Sequence, residues 1–414
     1  MSERPLVESY HDRTAPQRRI APTVTFWDET LRDGEQTPGV YFSPEEKLRI
    51  AEKLSDIGVG VIDAGIPVVS PKEAASVRLL AGAGLRAKIL ASARTVPGDV
   101  EAVVDSGASH LAVFIAASEV HLRYKLQMSQ EEVLASAVRS VRRGKEAGLH
   151  VAFVTEDTVR APFDFVERLY KAAREAGADR LVISDTVGIM TPLTFRWFLE
   201  EFQRRVQPTD WSVHCHNDFG LATANTLAAL EAGVNCPHVC VNGLGERAGN
   251  AALEEVALCL EALYGVNTGI RTESLHKLSR LVEELSGIPV AANKALVGYN
   301  AFSHEAGIHT HGILRHTLTY EPLQPERVGA QRQLILGKHT GKAALVEKLK
   351  ERGVQLEEPE LAELLRQIKQ RTEAGGKEPS RHLLAEYREL FSHPGLSDTE
   401  FWKLVSALPV AGAP

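Results

Sequence analysis

Along the chain, segments with the hydrophobic pattern of a β-strand alternate with segments that have the hydrophobic pattern of an α-helix. Short β-branched runs suited to buried strands are separated by segments whose apolar residues recur at helical spacing. Eight runs are predicted as strands: Val24–Asp28, Val61–Ala64, Arg86–Ser92, His110–Ile115, His150–Thr155, Arg180–Asp185, Asp210–His216 and Pro237–Asn242. An amphipathic helix fits in each gap. In the first gap Ser43 is predicted as N-cap, with Pro44 in the first turn and Glu46 closing a capping box.

Eight strand–helix units within residues 23–290 favour a (β/α)8 TIM barrel in the α/β class. A doubly wound open sheet is the alternative, because strand order cannot be read from a sequence. A barrel requires polar residues just after the strands, where the loops gather at one mouth. They are found at Asp28–Gln36, Asp63, Glu156–Asp157, Asp185–Thr186, His214–Asp218 and Asn242–Asn250.

The rest of the chain divides into three further predicted regions. Residues 1–22 are expected to form an N-terminal arm. Residues 291–345 are predicted as a linker or subdomain, with a Gly/His-rich stretch at Phe302–His316. Residues 346–414 read as charged, leucine-bearing helices and are predicted as a helical C-terminal region.

Composition narrows the class of protein. The 414 residues carry 47 Lys and Arg against 54 Asp and Glu, a net charge of −7, which argues against a nucleic-acid-binding protein. No apolar run approaches the roughly 20 residues that span a bilayer. The four cysteines form no CxxC pair, so we expect a cytoplasmic protein with reduced thiols.

The strongest candidate for chemistry is the pair His214 and His216 at the end of the seventh predicted strand. Alternate strand residues project to one side, so both imidazoles can bind one divalent ion. Such an ion also takes oxygen ligands, which Asp28, Asp33 and Glu35 can supply after the first strand. Asn250, after the eighth, can supply another. Outside the barrel, the histidines of Phe302–His316 could provide a general acid or base.

Several motifs together resemble one family. They are Asp28-Glu-Thr-Leu-Arg-Asp-Gly-Glu-Gln36, Ile66-Pro67, Glu156-Asp157, Ser184-Asp-Thr-Val-Gly188, His214–Asn225, Val241–Glu255, Phe302–Gly312 and Leu336–Gly341. Over residues 23–345 the chain resembles the DRE-TIM metallolyases, and within them the homocitrate synthase/2-isopropylmalate synthase family. The residues in these motifs are most similar to those of homocitrate synthases of the nitrogen-fixation type.

The resemblance implies a Claisen condensation of acetyl-CoA with a 2-oxo acid, followed by thioester hydrolysis. It implies a divalent metal ion (Mn, Mg or Zn) on Asp33, His214 and His216, with Asn250 as a fourth or water-mediated ligand.

The resemblance also assigns roles to the other residues of the site. Arg32 would stabilise the developing alkoxide, beside a carboxylate at Asp63, where Glu is usual in the family. Glu156 would position substrate or relay protons. Gln36 and Thr186 would bind substrate, with Thr186 on the oxo-acid carboxylate. His309, reaching in from the neighbouring subunit of a homodimer with shared active sites, would assist deprotonation of the acetyl group, with Tyr320 as its partner.

The predicted 2-oxo acid is 2-oxoglutarate, which would give homocitrate. Its second carboxylate must be neutralised, and Arg94, Arg123 and Arg160, which follow strands three, four and five, could do so. A 2-isopropylmalate, citramalate or other alkylmalate synthase is the alternative. More remote alternatives are C–C cleavage like that of hydroxymethylglutaryl-CoA lyase, a metal-dependent hydrolase and a non-catalytic barrel.

Overall fold

The computed structural model describes residues 10–206, 210–375, 378–392 and 394–408. The chain forms two compact units. The first extends to Val290 and includes Ala295–Val297, and the second comprises Ala291–Lys294 and the chain from Gly298 onward.

The first unit is a closed barrel of eight parallel strands in sequential order, so the TIM-barrel prediction is confirmed and the open-sheet alternative is wrong. Its strands are β1 Trp27–Asp28, β2 Val61–Asp63, β3 Lys88–Arg94, β4 His110–Ala116, β5 His150–Glu156, β6 Arg180–Asp185, β7 Asp210–Cys215 and β8 Cys236–Val239. Its helices are α1 His11–Thr14, α2 Pro44–Ile57, α3 Pro71–Gly82, α4 Pro97–Ser106, α5 Glu119–His121, α6 Gln130–Glu146, α7 Phe163–Glu175, α8 Pro192–Arg205, α9 Ala222–Glu231, α10 Leu253–Ala262 and α11 Leu275–Ser286.

Local sequence explains how α2 begins and ends. Ser43 accepts a hydrogen bond from the backbone N–H of Glu46, and the Glu46 carboxylate accepts one from the N–H of Ser43, so the predicted capping box is confirmed. Pro44 occupies the first turn, and Gly58 ends the helix with a φ of 106°.

The first strand is shorter than predicted. The carbonyl of Phe26 accepts from the N–H groups of both Gly60 and Val61, so the backbone before Trp27 departs from a regular ladder. The seventh strand ends at Cys215, and His216 instead forms an isolated antiparallel bridge with Asn250.

The barrel interior is filled by side chains from alternate strand positions. One buried layer consists of Trp27, Leu90, Ala112, Ala152, Val182 and Cys236. In such a barrel the strand interior is a packed core, and the loops after the strands are free to carry function.

The second unit contains a short parallel pair, β9 Ser303–His304 and β10 Gln333–Leu334. Its helices are α12 Gly307–Arg315, α13 Lys342–Lys350, α14 Glu358–Ala374, α15 Glu378–Ser392 and α16 Asp398–Ser406. The buried carboxylate of Glu321 contacts His304 at 3.0 Å and Arg332 at 2.6 Å. It thus links β9 to the residue that precedes β10. Within the described ranges, no helix has the length and apolar character required to cross a bilayer.

Candidate active site

A cavity of about 230 Å³ opens at the carboxyl ends of the barrel strands. Seven of the predicted site residues line it: Arg32, Asp33, Gln36, Glu156, Thr186, His214 and His216. The structure thus brings together residues that lie more than half the barrel sequence apart, because the loops after β1, β5, β6 and β7 share one mouth.

Three buried groups converge on one point of this mouth. The Nε2 atoms of His214 and His216 lie 3.0 Å apart, and Oδ2 of Asp33 lies 3.7 Å from the first and 4.0 Å from the second. Burial lowers the pKa of both histidines, so their imidazoles are neutral and keep a lone pair for a ligand bond. Burial alone would raise the pKa of Asp33. Arg32 and the two histidines outweigh that effect and lower the pKa below its usual value, so Asp33 stays a carboxylate.

Asn250 offers a further oxygen at the same place. Its amide nitrogen donates to Oδ1 of Asp33 at 2.8 Å and to the carbonyl of Leu244 at 3.1 Å. Its buried Oδ1 accepts no hydrogen bond from any described residue. Gly245 allows this packing, because a Cβ there would lie 2.2 Å from the Asn250 amide nitrogen. The donor set of one carboxylate, two neutral imidazoles and one free amide oxygen fits a divalent metal ion.

Arg32 lies beside this group and is held by three carboxylates. Its guanidinium contacts Glu29, Oδ2 of Asp33 at 2.9 Å and Oδ2 of Asp63 at 3.1 Å. Burial opposes the charge of Arg32, yet these acids raise its pKa, so it is a fixed cation. Burial, with Glu29 nearby, raises the pKa of Asp63 to about 7, and Ser92 donates to Asp63 at 2.7 Å.

Sequence reasoning missed Glu29 and His238. Oε1 of Glu29 lies 2.8 Å from Nδ1 of His238 and 4.0 Å from Nδ1 of His214, and all three side chains are buried. The sequence assigns His238 only to the predicted strand Pro237–Asn242. The available signal was its place on β8, which pairs directly with β7, the strand that carries His214.

The sequence analysis did not include Lys125 in the site. Lys125 lies in a single π-helical turn, Leu122–Leu126, and its Nζ contacts both carboxylate oxygens of Glu156, at 2.7 and 2.8 Å. On the neighbouring loop, the backbone N–H of Asp157 donates to Oγ1 of Thr186 at 2.8 Å.

Three predicted substrate-binding arginines do not line the cavity. Arg94 pairs with Asp99 at 2.6 Å, and Arg160 pairs with Asp157 at 2.7 Å. The Arg123 guanidinium lies over the ring of Tyr124, 5.2 Å from its centroid. Each of the three arginines thus contacts a neighbouring acid or ring close to it in the sequence.

Two acids proposed as oxygen ligands after the first strand also lie elsewhere. Glu35 contacts Lys47 at 2.7 Å and accepts from the N–H of Phe42. Asp28 accepts from the N–H of Thr30 at 2.9 Å, and burial raises its pKa to about 7. Asp33 is therefore the acid of this loop that joins the two histidines.

His309 and Tyr320 belong to the second unit. His309 lies on α12, and the centroids of the two rings are 4.1 Å apart. Both side chains are exposed, so the pair is available to a ligand or to another chain.

Two family models match the chain. The HMGL-like model matches residues 23–282, which is the barrel, and the "Homocitrate synthase post-HMGL domain-like" model matches residues 296–376. Among solved structures, the HMG-CoA lyase of Bacillus subtilis shares the barrel fold with a TM-score of 0.60 and 25% identity, covering 66% of this chain and 97% of that one.

Curated relatives match most of the chain. Homocitrate synthase AksA of Methanopyrus kandleri is 53% identical over 84% of this chain and 87% of its own length. A probable 2-isopropylmalate synthase of the same organism is 49% identical over 85% and 70%, and a putative (R)-citramalate synthase is 48% identical over 91% and 74%. The chain therefore belongs to the HMGL-like family of DRE-TIM metallolyases, in its homocitrate synthase/2-isopropylmalate synthase group.

Proposed function

We propose that the protein condenses acetyl-CoA with a 2-oxo acid in a metal-dependent reaction and hydrolyses the CoA thioester. The observation that carries this proposal is the convergence of Asp33, His214 and His216 beside the fixed cation Arg32, in a cavity at the barrel mouth. The synthase relatives support the same class of reaction.

Asp33, His214 and His216 would hold the divalent ion (Mn, Mg or Zn), with Oδ1 of Asn250 available as a further ligand. When bound, this ion would supply Lewis-acid chemistry to the carboxylate and ketone oxygens of the 2-oxo acid. Glu29 lies on the far side of the His214 ring, 4.0 Å from Nδ1, and would pack behind that ligand.

The chain's own residues would perform the remaining steps. Arg32 is held rigidly by Glu29 and Asp63, so its charge is already in place when negative charge develops on the ketone oxygen. Thr186 accepts a hydrogen bond from the Asp157 N–H, so its own hydroxyl proton is left to donate to the oxo-acid carboxylate. Glu156, paired with Lys125, would position substrate or pass a proton.

Removal of a proton from the acetyl methyl group requires a base. We propose His309 for this step, oriented by the ring of Tyr320 against which it lies. We further propose that it acts in the neighbouring subunit of a cytoplasmic homodimer, in which residues 291–345 carry it to the shared site. The predicted C-terminal helical region, residues 346–414, and N-terminal arm, residues 1–22, receive no role in this reaction.

The test is release of CoA thiol from acetyl-CoA with a panel of 2-oxo acids, with Mn²⁺ or Mg²⁺ and again after chelation. We expect metal-dependent release with at least one acid. His214→Gln should abolish both release and Mn²⁺ binding measured by calorimetry. The matched control, His276→Gln on helix α11, should change neither. Release that persists in His214→Gln would refute the site.

The residues of the sequence motifs predict 2-oxoglutarate as the acid and homocitrate as the product, with isopropylmalate- and citramalate-type synthesis as alternatives. The panel includes 2-oxoglutarate, 2-oxoisovalerate and pyruvate for this reason.

A further inference from the structure

Four apolar side chains lie side by side on the cavity wall that faces the metal-binding residues, and the ion pair of Lys125 and Glu156 lines the same cavity. Ala112 and Phe114 lie at alternate positions of β4 and share one face, and both line the cavity. Val154 on β5 is the register partner of Phe114 and lines it as well. Ile66, after β2, extends the same lining. These four side chains present hydrocarbon where a substrate side chain would lie.

Topology places this wall across the mouth from the metal-binding residues. In the closed order of eight strands, β4 and β5 lie opposite β8 and β1. Asp33 follows β1, and His214 lies on β7, next to β8. A 2-oxo acid whose carboxylate and ketone are held at Asp33 and His214 therefore directs its side chain toward β4 and β5.

The cations that line the cavity are already matched by acids. Among the described lining residues these cations are Arg32 and Lys125. Arg32 contacts three carboxylates, and both carboxylate oxygens of Glu156 contact Lys125. The hydroxyl of Ser92, also in the lining, already donates to Asp63. A second substrate carboxylate would meet hydrocarbon and the charge of Glu156, and burying it without an unpaired cation is unfavourable.

We propose that this cavity selects a 2-oxo monocarboxylic acid with an apolar side chain and rejects 2-oxoglutarate. The proposal rests on the condensation proposed above and specifies its substrate class. It replaces the 2-oxoglutarate prediction, which depended on arginines that contact Asp99, Tyr124 and Asp157 instead.

The test compares kcat/KM for 2-oxoisovalerate, 4-methyl-2-oxopentanoate and 2-oxoglutarate in the full chain with acetyl-CoA and Mn²⁺. We expect the better apolar acid to exceed 2-oxoglutarate by at least about tenfold, since a single methylene in an apolar pocket is worth about 10- to 200-fold. An equal or higher value for 2-oxoglutarate would overturn this inference and leave the condensation intact. No CoA release with any acid would overturn the proposed function, and this inference with it.

A charge placed on the wall sharpens the test. Val154→Lys should shift the ratio of kcat/KM values toward 2-oxoglutarate by at least about tenfold. The matched control is Val159→Lys, which adds the same charge on the loop after β5 at a residue outside the cavity lining. It should leave the ratio unchanged, and an equal shift in both variants would refute the assignment of the wall.

A conservative variant covers the case in which Val154→Lys does not fold. Val154→Thr keeps the shape of the side chain and adds a hydroxyl. It should lower kcat/KM for the apolar acids several-fold with little change in the midpoint of thermal unfolding. An unchanged kcat/KM for the apolar acids in Val154→Thr would contradict the proposal.

Discussion

Lys47 offers the sharpest test of how the barrel positions the loop after β1, which carries Arg32 and Asp33. It is fully buried on helix α2, and its ammonium donates to the carbonyl of Leu31, directly before Arg32, and to that of Ala64 after β2. It also contacts Glu73 at 2.8 Å and Glu35 at 2.7 Å. One cation thus joins the loops after β1 and β2 to α2 and α3. We consider the change Lys47→Met, which keeps the length and removes the charge.

The structure sets the expected size of the effect. Removing one partner of a buried ion pair costs about 3–5 kcal/mol, because the other charge is left unpaired. The side chains of Glu35 and Glu73 keep 18% and 16% exposure, so hydration places the cost near the lower end. With about 2 °C lost per kcal/mol for a domain of this size, the thermal midpoint of the barrel should fall by about 6 °C or more.

The pH dependence of this loss has a definite sign. Burial raises the pKa of Glu73, and Lys47 opposes that rise. In Lys47→Met the pKa of Glu73 rises further, so the folded state binds a proton that the unfolded state releases. The deficit relative to wild type should therefore shrink as the pH is lowered from 8 toward 5.

The assay is thermal unfolding followed by circular dichroism at several pH values. Lys72→Met is the matched control, because Lys72 is exposed on α3, next to Glu73, and its loss should cost less than about 0.5 kcal/mol. A midpoint for Lys47→Met within 2 °C of the control, or a deficit that grows at low pH, would refute the reasoning.

Three further predictions concern other parts of the molecule. Gly245→Ala places a Cβ 2.2 Å from the Asn250 amide nitrogen. It should weaken Mn²⁺ binding, measured by calorimetry, at least about tenfold. Gly98→Ala, with open space around it, should leave Mn²⁺ binding unchanged. Burial lowers the pKa of His110 from 6.5 to about 4, so the wild-type barrel loses stability as the pH falls through 6.5. His110→Gln should show a shallower fall of the thermal midpoint between pH 7.5 and 5, and an equally steep fall would contradict this. Arg32→Ala and His309→Ala should each be inactive. If each site uses both subunits, mixing the two variants under subunit exchange should restore up to about a quarter of wild-type activity. No recovery, with exchange verified, would argue against shared sites.

Much of the fold could be predicted from the sequence because its signals are local. The Ser43–Glu46 capping box and the eight β-branched runs act over a few residues, and the barrel follows from their number and spacing. Strand ends were less predictable where the ladder is irregular. The backbone at Phe26 accepts two hydrogen bonds, and nothing in Val24–Asp28 indicates that.

The candidate site was predictable where its spacing is local and hidden where it depends on distant partners. His214 and His216 are two residues apart at the end of a strand, a spacing visible in the sequence itself. Lys47 follows two glutamates in the first turns of a helix, a pattern typical of a solvated face. Only the fold brings its partners Leu31, Ala64 and Glu73 around it.

The geometry of one imidazole distinguishes two overlapping sets of candidate metal ligands. His214 belongs both to the set with Asp33 and His216 and to the set with Glu29 and His238. Its Nε2 faces the first set and its Nδ1 faces Glu29, and a single ring binds a metal through one nitrogen only. Both oxygens of Glu29 are already engaged, one by Arg32 and the other near His238. The carboxyl group of Glu29 therefore lies behind the His214 ring, 4.0 Å from Nδ1, and its shorter contacts are to Arg32 and His238. Because Nε2 of His214 points to Asp33 and His216, we propose the first set as the ion site and the second as the group that packs behind it.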